Sequence, residues 1–159
     1  MTTKNTDLVA NFEATPPVAN NAAELAGVVR TAHGSVELAA GDSTDNDIVM
    51  LAPIPSNAAV PQLFIGSDTF GGLCTFNVGL YTTAGAVKDE DAFATSVADA
   101  AGMTDVRFEA ADLNTGSKKV WELAGDSSDP GGYYYVAITF DATGGTAGSL
   151  NWNINYVVN

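Results

Sequence analysis

His33 is the only histidine and Cys74 the only cysteine of this 159-residue chain, so the usual nucleophile–base pairings have almost nothing to work with. His33 falls in an alternating stretch beside Gly34 and reads as a surface or packed histidine rather than a general base. Cys74 shares an apolar face with Phe76 and Val78, with no cationic neighbour in sequence to make a thiolate, and reads as a buried, inert thiol. There is no Gly-x-Ser-x-Gly elbow. Asp89, Glu90 and Asp91 form the densest run of acids. In so acidic a chain such a run reads as a solvated or helix-capping face rather than a glycosidase acid pair.

Calcium is the metal that suits the composition, because Asp, Asn and turn carbonyls can supply the six to eight oxygens it takes. One candidate set is Asp42, Asp45, Asn46 and Asp47. A second is Asp126 and Asp129 with carbonyls near Gly131. Neither follows the EF-hand spacing, and ordinary Asx-turns account for both. Zinc lacks ligands. The expectation is therefore no cofactor, no resident metal and no catalytic residue.

The surface-active residues are aromatic and amide. Tyr133 and Tyr135 fall opposite the apolar side of an alternating run. They fit fold packing, a subunit interface or a sugar-binding platform. Asn151, Asn153 and Asn155 form an uncharged polar row that could pair across a symmetry axis, bind sugar or face water.

These residues sit in the last part of the chain, which organises the rest. Tyr134, Val136, Ile138 and Phe140 alternate with Tyr133, Tyr135, Ala137 and Thr139; Leu150, Trp152, Ile154 and Tyr156 alternate with the asparagines. Period two predicts two strands, each with one buried face. The glycine-rich Asp141–Gly148 connection predicts a hairpin between them. Upstream, strands are expected at Val28–Leu38 with a bulge at Gly34, at Ile48–Leu51 stopped by Pro53 and Pro55, at Gln62–Gly66 opened by Pro61, at Leu73–Tyr81, and briefly around Val106 and Phe108. Val87–Ala101, opened by three acids, is expected to form one or two helical turns. Lys118–Ala124 is expected to form another, closed by Gly125.

Short strands with turns and no recurrent amphipathic helix predict an all-β, antiparallel β-sandwich or jelly-roll-like domain over 28–159. Residues 1–27 read as an extended N-terminal arm around Pro16-Pro17, with a helical turn allowed at Asn21–Ala26. Leu8, Val9, Phe12, Pro16 and Pro17 are its candidate contacts with another subunit.

Charge limits the partners. Six Lys+Arg stand against nineteen Asp+Glu, a formal net charge of −13. That disfavours nucleic acid and anionic membranes and favours a basic protein surface. A single cysteine fits folding in a reducing cytoplasm, and Met1–Asn11 shows no hydrophobic signal core.

Several segments resemble small virion structural proteins of tailed bacteriophages, many of them marine. They are Asp7–Ala14 (DLVANFEA), Val78–Tyr81 (VGLY), Gly85–Ala94 (GAVKDEDAFA), Val120–Asp126 (VWELAGD) and Asp129–Tyr133 (DPGGY). The resemblance implies a capsid cement or decoration protein without catalytic residues. It would be made in the host cytoplasm and placed on the capsid exterior. Its partners would be the major capsid protein and further copies of itself, as a homotrimer at local symmetry axes. The alternative is a carbohydrate-binding or adhesin module of a virion fibre or capsid surface, built on Tyr133, Tyr135 and the asparagine row.

Overall fold

The computed structural model describes residues 4–21, 24–99, 102–108 and 113–158. In chain order the elements are α1 (Asp7–Glu13), β1 (Val29–Leu38), β2 (Ile48–Pro55), β3 (Ala58–Ser67), β4 (Thr75–Thr82), β5 (Val87–Ala98), β6 (Thr104–Asp105), α2 (Val120–Leu123), β7 (Tyr133–Ala142) and β8 (Gly148–Val158). The strands form two four-stranded sheets, ordered β1-β8-β3-β6 and β2-β7-β4-β5, with every paired neighbour antiparallel. The first strand pairs with the last, the second with the seventh, the third with the sixth and the fourth with the fifth. That is a long antiparallel ribbon rolled into two facing sheets, the jelly roll.

The core is filled from both inner faces. Tyr134, Val136, Ile138 and Phe140 of β7 and Phe76, Val78 and Leu80 of β4 face Leu150 and Ile154 of β8 and Leu63 and Ile65 of β3. Phe140 meets Phe70 and Phe76 edge-on, with ring centroids 5.6 and 6.0 Å apart.

Seven local expectations are corrected. The Asp141–Gly148 connection is not a hairpin: β7 and β8 belong to different sheets, and the loop carries the chain from one to the other. Alternation reports which face of a strand is buried, not which strand lies beside it. Gly34 is not a bulge, for the β1–β8 register runs unbroken. A Cβ there would lie 2.6 Å from the Trp152 ring, so glycine makes room for the cross-strand indole.

Pro53 does not stop β2, which runs on through it and ends at Pro55. β2 is an edge strand, where a missing N–H costs no ladder bond. Pro61 does not open β3, which begins at Ala58. Proline is accommodated in a break of register between Ala59 and Gln62.

Val87–Ala98 is a strand, not helical turns. Its register slips against β4, so that only Val78↔Ala94 and Leu80↔Asp89 bracket the intervening residues. The excess chain folds tightly over Gly79, whose added Cβ would be 2.2 Å from the Asp89 carbonyl oxygen. The short strand expected around Val106 and Phe108 reduces to Thr104–Asp105; Glu109 lies outside the described residues. Residues 7–13 of the arm are helical rather than extended. The Thr6 carbonyl accepts from the amides of Val9 and Ala10, and the helix stops before the Pro16-Pro17 pair.

The helical turn before Gly125 forms as expected at α2, and Gly125 takes φ +75° past its end. At Asn21–Ala26, the amides of Glu24 and Leu25 donate to the Asn21 carbonyl. Ala22 and Ala23 lie outside the described residues.

Candidate functional site

The β2–β7 ladder decides what surrounds Tyr133 and Tyr135. Its register sets Ile48 opposite Thr139, Met50 opposite Ala137, Pro53 opposite Tyr135 and Pro55 opposite Tyr133. Directly opposed residues share a face. This is the outer face, because the residues between them on β7 point into the core. Tyr133 is 57% exposed, Ile48 44% and Met50 39%; Pro53 is exposed and Tyr135 half-buried. The result is a strip of aromatic and aliphatic side chains without a charged member. Sequence reading found the tyrosines but missed Ile48, Met50 and Pro53. It took Ile48–Leu51 as a buried run, whereas strand alternation turns Ile48 and Met50 outward, and the register shift between Met50 and Ala52 brings Pro53 onto the same face. Such a strip, large and apolar on a chain of charge −13, has the composition of a protein contact.

The asparagine row lies elsewhere. Asn151, Asn153 and Asn155 stand on β8, on the outer face of the other sheet. A single sugar site built from the tyrosines and the asparagines is therefore ruled out: the two groups face away from each other across the core. The row is knitted into its own sheet. The Thr31 hydroxyl donates to Asn155 Oδ1 (2.9 Å), and Asn155 Nδ2 donates to Gln62 Oε1 (3.0 Å). Asn151 is exposed; Asn153 is half-buried with Oδ1 unpaired among the described residues. His33 is exposed on this same face, opposite Asn153.

The arm contributes a third surface. Val9, Phe12, Pro16 and Pro17 are exposed and Leu8 is half-buried. No residue of α1 is buried.

The aspartates weighed for calcium are occupied by local hydrogen bonds. Asp42 accepts from the Ala39 amide (2.9 Å), and Asp47 from the Thr44 amide (2.8 Å) and hydroxyl. The Thr44 bonds hold the Asp47 carboxyl below its ordinary range. Asp129 accepts from the Gly131 amide (2.8 Å). Asp126 pairs with Lys88 Nζ at 2.6 Å and accepts the Tyr134 hydroxyl. Lys88 and Tyr134 together lower its pKa, while burial and Asp126 push Tyr134 up to about 12. No group of three or more His, Cys, Asp or Glu among the described residues is arranged to hold a metal ion. Asp45 shares the Asp42 and Asp47 turn without completing such a group. Cys74 is buried, and burial, with Asp99 and Asp141, pushes its thiol up to about 11.

Arg107 is a residue that sequence reading did not single out. It falls next to Val106 and Phe108 in the stretch expected to be a short strand, and it is fully buried. Its Nε donates to the Val60 carbonyl (2.8 Å), which lies in the break of β3, and Nη2 donates to Thr115. The guanidinium lies over the rings of Phe93 and Phe108, 5.1 and 4.6 Å from their centroids. Its role is to close the β5–β6 flank. A small cavity of about 140 Å³ opens on that flank, lined by Ile65, Phe76, Val97 and Val106 and by no ionisable side chain. No helix among the described residues is long and apolar enough to cross a membrane.

The two sheets and their strand order define the class: a jelly-roll β-sandwich, an architecture used by viral coat, lectin and cupin domains alike. Neither a protein-family model nor any curated protein matches the chain. Among solved structures it is similar to a chain of the cyanophage Pam1 capsid asymmetric unit, at 19% identity and TM-score 0.48, covering 84% of this chain and 86% of that one. It is also similar to a chain of infectious bursal disease virus, Gx strain, at 15% identity and TM-score 0.43, covering 82% of this chain and 32% of the other.

Proposed function

We propose that this chain is a non-enzymatic virion structural protein: a cement protein of a phage head that associates with copies of itself, as a trimer, and binds across capsid subunits on the shell exterior. The observation that carries this reading is the uncharged strip of Ile48, Met50, Pro53, Tyr133 and Tyr135 on an otherwise acidic molecule. Burying such a strip stabilises an association, and having no charge it can meet its own copy without repulsion. The acidic remainder suits a basic shell exterior and is repelled by packaged nucleic acid. Binding across joints raises the free energy of opening the shell by mass action, and many copies act together.

The test is incubation of the purified protein with expanded empty shells of its own phage. Saturable binding and a raised shell melting temperature are expected. Absence of binding at micromolar concentration refutes the reading.

A further inference from the structure

A sheet edge is a row of backbone donors and acceptors that another strand can pair with, and proteins blunt such edges. Three of the four edges here are blunted. β2 lacks the N–H groups at Pro53 and Pro55, and its register breaks between Met50 and Ala52. β5 carries Asp89, Glu90 and Asp91 and slips its register against β4. β6 is two residues long. β1 is the exception. It runs from Val29 to Leu38 without a proline or a break, and among the described residues its backbone bonds to no strand but β8. Its core-side residues Ala32, Gly34 and Val36 are only half-buried, because among the described residues no strand lies beyond them in the sheet.

This edge is its own complement. The ionisable side chains of β1 are Arg30, His33 and Glu37, so with the histidine neutral the strand has no net charge, on a chain of −13. A second copy meets it without the repulsion of the acidic faces. Two β1 strands pair antiparallel about a two-fold axis. Opposed residues share a face, so the core sides stay together only where even numbers oppose even and odd oppose odd. An axis at His33 opposes Val29 to Glu37 and Arg30 to Val36, and an axis at Ser35 shortens the match to residues 32–38. An axis at Gly34 matches residues 30–38. It opposes Thr31 to Glu37 and His33 to Ser35 on the exposed side and Ala32 to Val36 on the core side, with Arg30 and Leu38 at the ends. It also brings together at the axis the two Trp152 rings, each already lying over its own Gly34. An aromatic centre within a polar rim is the anatomy of a protein interface. We propose that β1 pairs with β1 of a second copy in this register, joining two β1-β8-β3-β6 sheets into one continuous sheet. The contact does not rest on the cement reading and is separate from the outer strip of β2 and β7.

The experiment is amide hydrogen exchange of the full chain across a concentration series, with sedimentation equilibrium alongside. The β1 amides that point away from β8 should gain protection as the chain associates, while those of β5 stay unchanged. Thr31→Glu sets an acid opposite Glu37 of the second copy, twice in each pair, and should weaken association by about 2- to 30-fold. Thr31→Lys should tighten it. Adding Glu37→Lys to Thr31→Lys should weaken it again although the chain becomes less acidic, which separates this pairing from general charge repulsion. Thr31 and Glu37 are exposed, so these variants fold. Association without protection of β1 overturns the pairing, as does a Thr31→Glu chain that associates like the wild type, or a wild-type chain that stays monomeric. Protection of β1 that appears only when shells of the phage are added also overturns it, and gives the edge to a strand of another chain. Binding to those shells, measured separately, decides the cement reading in every case.

Discussion

Gly79→Ala is a sharp test of how β5 packs, because the obstruction is backbone. An added Cβ would stand 2.2 Å from the Asp89 carbonyl oxygen, 2.2 Å from the Glu90 carbonyl carbon and 2.4 Å from its oxygen. Ordinary contact begins near 3.4 Å, so more than an ångström of movement is needed, and no rotamer change supplies it. β5 must lift from β4, disturbing the buried Phe93 and the Arg107 it stacks on. Overpacking costs about 1–3 kcal/mol and occasionally more, and a backbone clash belongs at the upper end. Reduced freedom of the unfolded chain returns about 0.4–1 kcal/mol. The net loss is about 2 kcal/mol or more, and the melting temperature should fall by at least about 4–8 °C for a chain of this length. Calorimetry reads this directly. Gly102→Ala is the control, since a Cβ there meets nothing within 4 Å; it should be neutral or slightly stabilising. If Gly79→Ala melts with the wild type, β5 does not lie over Gly79 and its bulged register is wrong.

Other outcomes follow from the same geometry. Arg107→Ala leaves the Val60 carbonyl without its donor in a buried setting and opens the flank. The orphaned carbonyl alone should cost about 1–3 kcal/mol by denaturant unfolding, and Arg107→Lys should recover little, since an ammonium cannot reproduce the guanidinium fork. Asp126 has a lowered pKa in the folded state, so its contribution is present above the ordinary carboxylate pKa and is lost as pH falls through the folded value. Asp126→Asn should remove that part of the acid-side stability slope, seen in urea midpoints between about pH 5 and 2. Tyr134 is shifted the other way, so its contribution is complete below pH 10 and fades as pH rises toward about 12; Tyr134→Phe should remove the part of the phenolate absorbance that appears only near that pH. Met50→Asp with Tyr135→Ala should weaken self-association in sedimentation while leaving the monomer's far-ultraviolet spectrum intact; an unchanged association constant would remove the strip from the interface.

What could be read without coordinates was whatever depends on neighbours in the chain. Alternation at Tyr134–Phe140, Leu150–Ile154 and Cys74–Leu80 reports burial face by face, and each of these faces is in the core. Gly125 closing α2 and the glycine-rich turns are likewise local chemistry. The class of fold follows from counting such strands and finding no long helix between them.

Non-local pairing was not legible. A period of two is the same whether β7 and β8 lie side by side or face each other across a core, and only the closed pair of sheets distinguishes them. Asp89–Asp91 reads as a helix start until the edge of β4 is there to pair with; a strand then gains ladder bonds that a short isolated helix cannot match. Nothing in the local pattern marks Arg107 for burial; the break in β3 presents the carbonyl to which it donates. The candidate surface divides the same way. Tyr133 and Tyr135 were visible as outward residues, whereas their union with Ile48, Met50 and Pro53, and their separation from the asparagines by the thickness of the sandwich, arise from register and sheet order. Those are set by contacts between residues far apart in the chain, which local pattern does not encode.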